Sequence, residues 1–362
     1  MFCSCMLDLA NEFGLPTYVF FTSNAGFLGF MLHLQTLRDR HNLDITEYKD
    51  SDSELDIPSF TIPVPAKVFP SRLLDKEREP DVFISILGRL REAKGIMVNT
   101  FAELESHAIK SLSDSDDIPP IYPVGPILNI NRDKRDDDVA LIWLDNQPKY
   151  SVVFLCFGSM GSFDADQVLE IAHALERSGH RFLWSLRWPQ PKGKMGFPSE
   201  YSDLNEVLPE GFIERTVGMG KVIGWAPQEA VLSHPALGGL VSHCGWNSTL
   251  ESVWCGVPMA AWPLYAEQQM NAFKMLKDLG MAVKIKMDYR KDFMTTETIV
   301  VTAEVIENGI RKLMDSGGEG ASGEIRNKVE EMKKKSRMAV AEGGSSYLSL
   351  GRFIEDMMGN IL

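Results

Sequence analysis

The 362-residue chain is predicted to be an α/β protein of two domains built on parallel sheets. Strand-like runs rich in Val, Ile and Phe alternate with amphipathic helical stretches, the order expected when helices cross between parallel strands. No internal repeat of fixed period interrupts that alternation. The length also accommodates two domains, each with a sizeable core.

The first domain is placed at residues 1–130. Phe2–Phe13 and Asn24–Arg38 read as helices flanking a short strand, Thr17–Phe21. Gly95–Phe101 reads as a second strand, and Ile121–Pro126 closes the region. Phe13, Phe20, Phe21, Phe27 and Phe30 concentrate in one stretch, and most are expected to be ordinary core. Residues 131–139, which include the run Asn131–Asp138 with its mixed charges and no apolar period, are expected to form an exposed linker.

The second domain is expected to span residues 140–345. Val152–Phe157 reads as a buried strand. Asp164–Ser178 reads as a helix with Val168, Ile171, Ala172 and Leu175 on one face. Arg181–Leu186 and Lys221–Gly224 are further strands, and helical stretches follow around Glu297–Met314, Gly323–Ala341 and Ser346–Met358. Residues 346–362 are set apart as a terminal helix, entered through the flexible joint Gly343-Gly344-Ser345-Ser346. Trp143 and Trp184 are assigned to the core.

Composition narrows the function. A net charge of −13 with no evident basic face argues against nucleic acid or an anionic membrane as partner. The five cysteines (Cys3, Cys5, Cys156, Cys244, Cys255) are scattered, so a reducing, cytoplasmic setting is expected. No run of eighteen apolar residues and no basic leader is present, so neither a membrane span nor a signal peptide is supported. Asp114–Asp117 and Asp136–Asp138 lie in polar segments and read as solvated loops rather than a metal site. His243 beside Cys244 has no further pair at zinc-ligand spacing.

The 44 residues from Trp225 through Gln268 carry the most chemistry. Trp225 offers a flat ring on which a base could stack. Gly239–Ser242 is strand-like and leads into His243-Cys244-Gly245-Trp246-Asn247-Ser248, which opens a helix. A helix N-terminus presents unpaired N–H groups and partial positive charge, a natural seat for a diphosphate. Asn247 and Ser248 are expected at the cap position, and Gly245 is expected to let backbone approach a ligand. Glu251, one turn after Asn247, could accept from ribose hydroxyls. Glu267 and Gln268 fall at the next strand-to-helix junction, after Val257–Pro263, where they could bond sugar hydroxyls. Taken singly, Trp225 and His243 also fit core residues, and Asn247, Ser248 and Glu251 also fit a plain N-cap with a solvated acid. Their common register favours the nucleotide. The turn Phe157–Ser162 lacks the Lys-Ser/Thr ending of a Walker loop and the third glycine of a dinucleotide fingerprint. A nicotinamide-dependent oxidoreductase therefore ranks last among the alternatives.

The stretch Trp225–Gln268 resembles, without a gap, the signature box of plant secondary-product glycosyltransferases, the UDP-sugar-dependent family 1 enzymes. The resemblance implies the GT-B fold of two Rossmann-like domains. It assigns donor contacts to Ser159, Trp225, Ala226, Gln228, His243, Gly245, Trp246, Asn247, Ser248, Glu251, Glu267 and Gln268. A final Gln in the box goes with glucose, so UDP-glucose is the expected donor substrate, with no cofactor and no metal. The implied reaction is inverting transfer to a hydroxyl of a small plant phenolic, most readily a flavonoid such as a flavonol or anthocyanidin. The terminal helix is implied to return to the N-terminal domain, and the complete protein to be monomeric.

In that family a histidine after the first strand serves as general base, and an aspartate just ahead of a Met-Phe-Cys-like segment orients it. Met1-Phe2-Cys3 begins this chain. The dyad is therefore expected upstream of Met1, the N-terminal domain is expected to be incomplete, and no residue here is nominated as catalytic. The alternative is a natural short form that binds UDP-sugar and transfers nothing.

Overall fold

The structure, a computed structural model, describes residues 5–129, 138–190, 196–290, 299–315 and 321–361. The chain divides into two compact units. One comprises residues up to Leu128 together with Met332–Leu362, and the other is Asn129–Glu331. The second unit therefore ends at Glu331 rather than at residue 345.

In the first unit, α1 (Cys5–Glu12), β1 (Tyr18–Phe21) and α2 (Ala25–His41) are followed by a small antiparallel pair, β2 (Glu54–Leu55) and β3 (Val64–Pro65). Then come α3 (Ser71–Leu74), α4 (Pro80–Gly88), β4 (Gly95–Val98), α5 (Ala102–Ser113) and β5 (Ile121–Pro123). The sheet order is β1-β4-β5, all parallel. A buried acid fixes the start of α2. Glu105 accepts from the backbone N–H groups of Ala25 (2.9 Å) and Gly26 (3.0 Å), while Asn24 accepts from Phe27 N as the N-cap. A carboxylate is favoured there because the helix end is electropositive and its first N–H groups lack partners. Phe21, Phe27 and Phe30 are core, with Phe30 packed on Phe69 at 5.1 Å. Phe13 and Phe20 are exposed, so the aromatic stretch divides between core and surface.

The second unit opens with α6 (Val139–Asp145), whose N-cap Asp138 accepts from Ala140 N. Of the expected linker, residues 131–137 lie outside the described residues, and Asp138 and Val139 begin this helix. The order continues β6 (Val152–Cys156), α7 (Ala165–Ser178), β7 (Arg181–Ser185), α8 (Phe212–Arg215), β8 (Gly220–Ile223) and α9 (Gln228–Leu232). It ends with β9 (Leu237–Ser242), α10 (Trp246–Cys255), β10 (Met259–Ala261), α11 (Gln268–Phe273), β11 (Ala282–Lys284) and α12 (Ala303–Met314). Six strands pair in the order β11-β10-β9-β6-β7-β8, every pairing parallel. Every residue of β6 and β9 is buried, as strands covered on both faces require. Val168, Ile171, Ala172 and Leu175 form the buried face of α7. Trp184 is fully buried, but Trp143 is only half-buried and lines an open cavity of about 650 Å³ with Tyr201, Ile213 and Val222.

The helix α13 (Ala321–Val340) carries the chain from Glu331 back into the first unit, and α14 (Ser345–Ile361) ends there. Ser345 Oγ donates to Glu103 and Ser346 Oγ to the Gly125 carbonyl. The Phe353 ring meets Tyr18 at 5.2 Å and Tyr122 at 5.4 Å. Among the described residues no helix is long and apolar enough to cross a membrane.

An aromatic cluster supports the edge of the larger sheet. Phe157, Phe163, Trp262 and Tyr289 meet with ring centroids 4.6–6.5 Å apart. Trp262 is fully buried and among the described residues its Nε1 has no hydrogen-bond partner, so it serves by volume and ring geometry. Trp262→Ala is expected to destabilise the second unit by about 3–5 kcal/mol, read from the shift of the urea midpoint. Trp262→Phe is expected to cost much less, because it keeps an aromatic filler and removes an unpaired N–H. Equal losses for both would show that the cluster does not hold by packing.

Candidate functional site

Five parallel strands end at one edge of the six-stranded sheet, and the segments that leave them carry the residues singled out in the sequence. From β6 the chain enters Phe157-Gly158-Ser159, from β7 Arg187, from β8 Trp225, from β9 His243 and from β10 Glu267. In open parallel sheets the crevice outside the carboxyl ends of the strands is where ligands bind.

The β9-to-α10 turn is built around a buried imidazole. His243 is 7% exposed, and glycines flank its ring on two sides. A Cβ at Gly158 would lie 2.7 Å from His243 Nε2, and one at Gly245 only 2.4 Å from the same atom. Gly158 is also required by its φ of +72°. The glycine at 245 therefore also makes room for the histidine itself, a packing demand that adds to the expected approach of backbone to a ligand. Cys244 between them adopts φ +61°, uncommon for a residue with a side chain. Two hydrogen bonds hold it there: its N–H donates to Ser242 Oγ at 3.0 Å, and its carbonyl accepts from Asn271 Nδ2 at 2.9 Å.

The N-cap of α10 is Gly245, with extended backbone and no side chain bonded to the helix end. Asn247 and Ser248 consequently sit in the first turn, not at the cap as expected from sequence. Gly245 leaves the cap position extended, and Trp246 already begins the helix. Gly245 has no side chain with which to cap the leading N–H groups, the arrangement in which a helix start can seat an anion. Asn247 is exposed, whereas Trp246 and Ser248 are buried.

Ser248 and Glu251 meet Gln228, the first residue of α9. Gln228 Nε2 donates to Ser248 Oγ at 2.8 Å and to Glu251 Oε2 at 2.5 Å, and its Oε1 accepts from the Cys156 thiol at 3.0 Å. Residues from two helices of the signature stretch, α9 and α10, plus one from β6, therefore form one polar knot. Burial pushes the Glu251 carboxyl up, and the Gln228 amide partly offsets that. Ala226 is buried beside this knot's helix, and Trp225 is 57% exposed, with its backbone N–H donating to Glu200 Oε1 at 3.0 Å. The Arg187 guanidinium lies over the Trp225 ring, 5.1 Å from its centroid.

At the β10-to-α11 junction, Ala266 takes φ +57° and Glu267 is the N-cap of α11. The Gln268 side chain is 4% exposed, and its Oε1 accepts from Leu264 N (3.0 Å) and Tyr265 N (3.1 Å). The amide oxygen is committed to the turn, so only the amide NH₂ of Gln268 can serve a sugar hydroxyl. Ser159 is exposed in the loop whose Gly158 lies against His243.

The structure thus brings Ser159, Gln228, His243, Gly245, Trp246, Ser248 and Glu251 to one edge, with Trp225 and Ala226 ahead of them and Glu267 and Gln268 at the neighbouring junction. Asn247 shares the helix turn but points to solvent. Arg187, Glu200 and Asn271 belong to the same construction and were not anticipated. Arg187 had one signal, its place just past a strand end; the other two had none. Outside the edge, His234 pairs with Asp145 at 3.1 Å, and Asp114 and Asp117 are engaged by Lys110 and Arg91. Among the described residues no cluster of three or more His, Cys, Asp or Glu side chains could hold a metal ion.

Burial pushes the His243 imidazole down to about 4, so at neutral pH it is an uncharged donor or acceptor rather than a cation. The shift links to stability. Between 6.5 and about 4 the unfolded chain carries a proton on this residue and the folded chain does not, so stability from this source is complete above 6.5 and falls as pH drops toward 4. A shift of this size is worth on the order of 3 kcal/mol. Glu251, with its pKa raised, acts in the opposite sense above the ordinary carboxylate range, so the comparison with a variant isolates the histidine. In His243→Gln, the decline in urea stability between pH 6.5 and 4 is expected to be shallower than in the parent chain. Parallel curves would show that His243 does not fold as the neutral form.

Comparison with known proteins agrees with this architecture. The family model described as "UDP-glucoronosyl and UDP-glucosyl transferase" matches residues 82–314. UDP-glycosyltransferase 71E1 of Stevia rebaudiana is 60% identical over 361 residues, spanning 98% of this chain and 75% of that protein. UDP-glucose flavonoid 3-O-glucosyltransferase 6 of Fragaria ananassa is 58% identical over 367 residues, spanning 99% of this chain and 74% of its own. The crystal structure of a UGT transferase from Siraitia grosvenorii in complex with UDP superposes with a TM-score of 0.91 at 52% identity, covering 99% of this chain and 76% of that one. The fold is GT-B, and the chain belongs to the UDP-glucoronosyl and UDP-glucosyl transferase family.

Proposed function

We propose that the chain is the donor-binding and transferring part of a UDP-glucose-dependent glucosyltransferase acting on a hydroxyl of a small plant phenolic, with flavonoids the leading class. The observation that carries the reading is the glycine-capped start of α10 beside the Gln228–Ser248–Glu251 knot, flanked by the Trp225 ring on one side and the Glu267–Gln268 junction on the other. A uridine diphosphate sugar has these parts in this order: a flat base, a ribose diol, two phosphates and a hexose. The flavonoid assignment is supported by a relative that carries that substrate in its name.

Each part has a chemical counterpart. Trp225 stacks the base. Glu251 accepts from the ribose hydroxyls, its carboxylate already oriented by Gln228, so little ordering is needed on binding. The diphosphate sits on the leading N–H groups of α10, with the Ser248 and Ser159 hydroxyls and His243 as added donors. Glu267 and the Gln268 amide NH₂ hold the hexose hydroxyls and fix the anomeric carbon for attack. The acceptor oxygen attacks that carbon from the face opposite the diphosphate, its proton passes to a base, and the anomeric C–O bond breaks with the electron pair leaving on UDP. Charge growing on the departing oxygen is held by preorganised N–H dipoles. No metal and no cofactor takes part in this scheme. The setting is cytoplasmic, and the complete protein acts as a monomer.

UDP affinity and glucosyl transfer, measured side by side, test the reading. Glu251→Ala and His243→Ala are each expected to weaken UDP binding by roughly 1–3 kcal/mol, the scale of a lost buried or charged hydrogen bond. Full UDP affinity in both variants would place the donor elsewhere.

A further inference from the structure

We infer that Arg187 is a positioning residue for donor recognition, a buried cation that holds the Trp225 ring in the orientation a base requires. The inference deepens the proposed function and rests on its reading of Trp225 as the base seat.

Arg187 follows β7, and Trp225 follows β8, the strand beside it in the sheet. The pairing registers Ser185 with Ile223, so the two side chains leave adjacent strands at nearly the same level. The guanidinium carbon lies 5.1 Å from the Trp225 ring centroid, within the range of a cation–π contact. Arg187 is 9% exposed, yet among the described residues no carboxylate pairs with it. Its Nη2 donates to the Pro198 carbonyl, and among the described residues its Nε has no partner. A buried guanidinium with an unpaired N–H and no counter-ion is costly to keep for packing alone. The indole face is the favourable contact available to it.

Trp225, by contrast, is 57% exposed, and a large side chain so placed would otherwise sample several rotamers. Two anchors prevent that. The arginine covers one ring face, and Glu200 Oε1 accepts the Trp225 backbone N–H at 3.0 Å. The segment bearing Glu200 is itself tied back to the end of β7: Trp188 N donates to Ser199 O at 2.7 Å and Ser199 N to Trp188 O at 3.1 Å. With one face of the indole occupied by a cation and the backbone pinned, the opposite face is presented in a fixed plane. A base then stacks without first ordering the ring, which is where affinity is gained.

The test is calorimetric binding of UDP, and separately of inorganic pyrophosphate as a base-free probe, to the full chain and to Arg187→Met, Arg187→Lys, Trp225→Ala and the Arg187→Met/Trp225→Ala double variant. Arg187→Met keeps the length of the stem and removes the planar charge. It is expected to weaken UDP about 3- to 10-fold and to leave pyrophosphate unchanged. Arg187→Lys is expected to fall between Arg187→Met and the parent chain, because it keeps charge but not the flat stack. Trp225→Ala is expected to weaken UDP about 10-fold or more, and the double variant to bind within twofold of Trp225→Ala, since the arginine acts only through the ring. Additive losses in the double variant, or equal losses for UDP and pyrophosphate, overturn the positioning role. Unchanged UDP binding in Arg187→Met overturns it too, while a loss in Trp225→Ala leaves the base seat standing. Unchanged binding in Trp225→Ala instead overturns the base seat itself. If Arg187→Met does not fold, Arg187→Lys decides, because it preserves the buried charge.

Discussion

The site depends first on one pairing, the parallel register of β6 with β9 that sets Cys156 opposite Ser242. Because both strands run the same way and end together, the loop after β6 and the turn after β9 emerge side by side. That places Gly158 against His243 and brings the Cys156 thiol to Gln228. Parallel pairing of β10 with β9 adds the Glu267–Gln268 junction at the same edge. A one-residue slip in β9 would reverse which side chains face each layer, and the histidine would no longer lie against Gly158.

From that edge, the chemistry is one of dipoles more than of charges. The buried imidazole is neutral, the thiol of Cys156 is pushed up to about 12 by burial, and the acid at 251 is desolvated. The favourable electrostatics for an anion come from backbone N–H groups at the start of α10, which need no counter-ion and do not titrate. Two residues with side chains, Cys244 and Ala266, take left-handed backbone immediately before the two functional turns. Such conformations persist where surrounding bonds over-determine them, and at Cys244 the bonds to Ser242 and Asn271 are visible. Asn271 belongs to α11, so the turn before α10 and the junction before α11 are locked to each other.

Much of this was legible in the sequence, for local reasons. The face of α7 showed itself because Val168, Ile171, Ala172 and Leu175 repeat at helical spacing over a segment bounded by Asp164 and Gly179. The stretch Trp225–Gln268 could be read because strand, turn and helix follow one another there without interruption, and the resemblance named their roles. Legibility failed wherever a partner came from a distant segment. Nothing near Gln228 announces that its amide is spent on Ser248, Glu251 and Cys156, and nothing near Gln268 announces that its oxygen is taken by Leu264 and Tyr265. Whether His243 is charged is decided by burial, which sequence does not state. The cap of α10 was misplaced onto Asn247 and Ser248 because those residue types favour caps, while the backbone gives the position to Gly245. Trp143 was misread as core because it lies on a short helix whose other face is open to solvent.

Where UDP-glucose lies on the strand ends of the six-stranded sheet decides between these roles. A crystal structure of the chain with UDP-glucose is the most direct measurement. It should show the uracil stacked on the Trp225 ring, the ribose on Glu251, the diphosphate on the first N–H groups of α10 beside His243, and the glucose against Glu267 and the Gln268 amide. A diphosphate bound away from the start of α10, or a uracil that leaves Trp225 untouched, would contradict it.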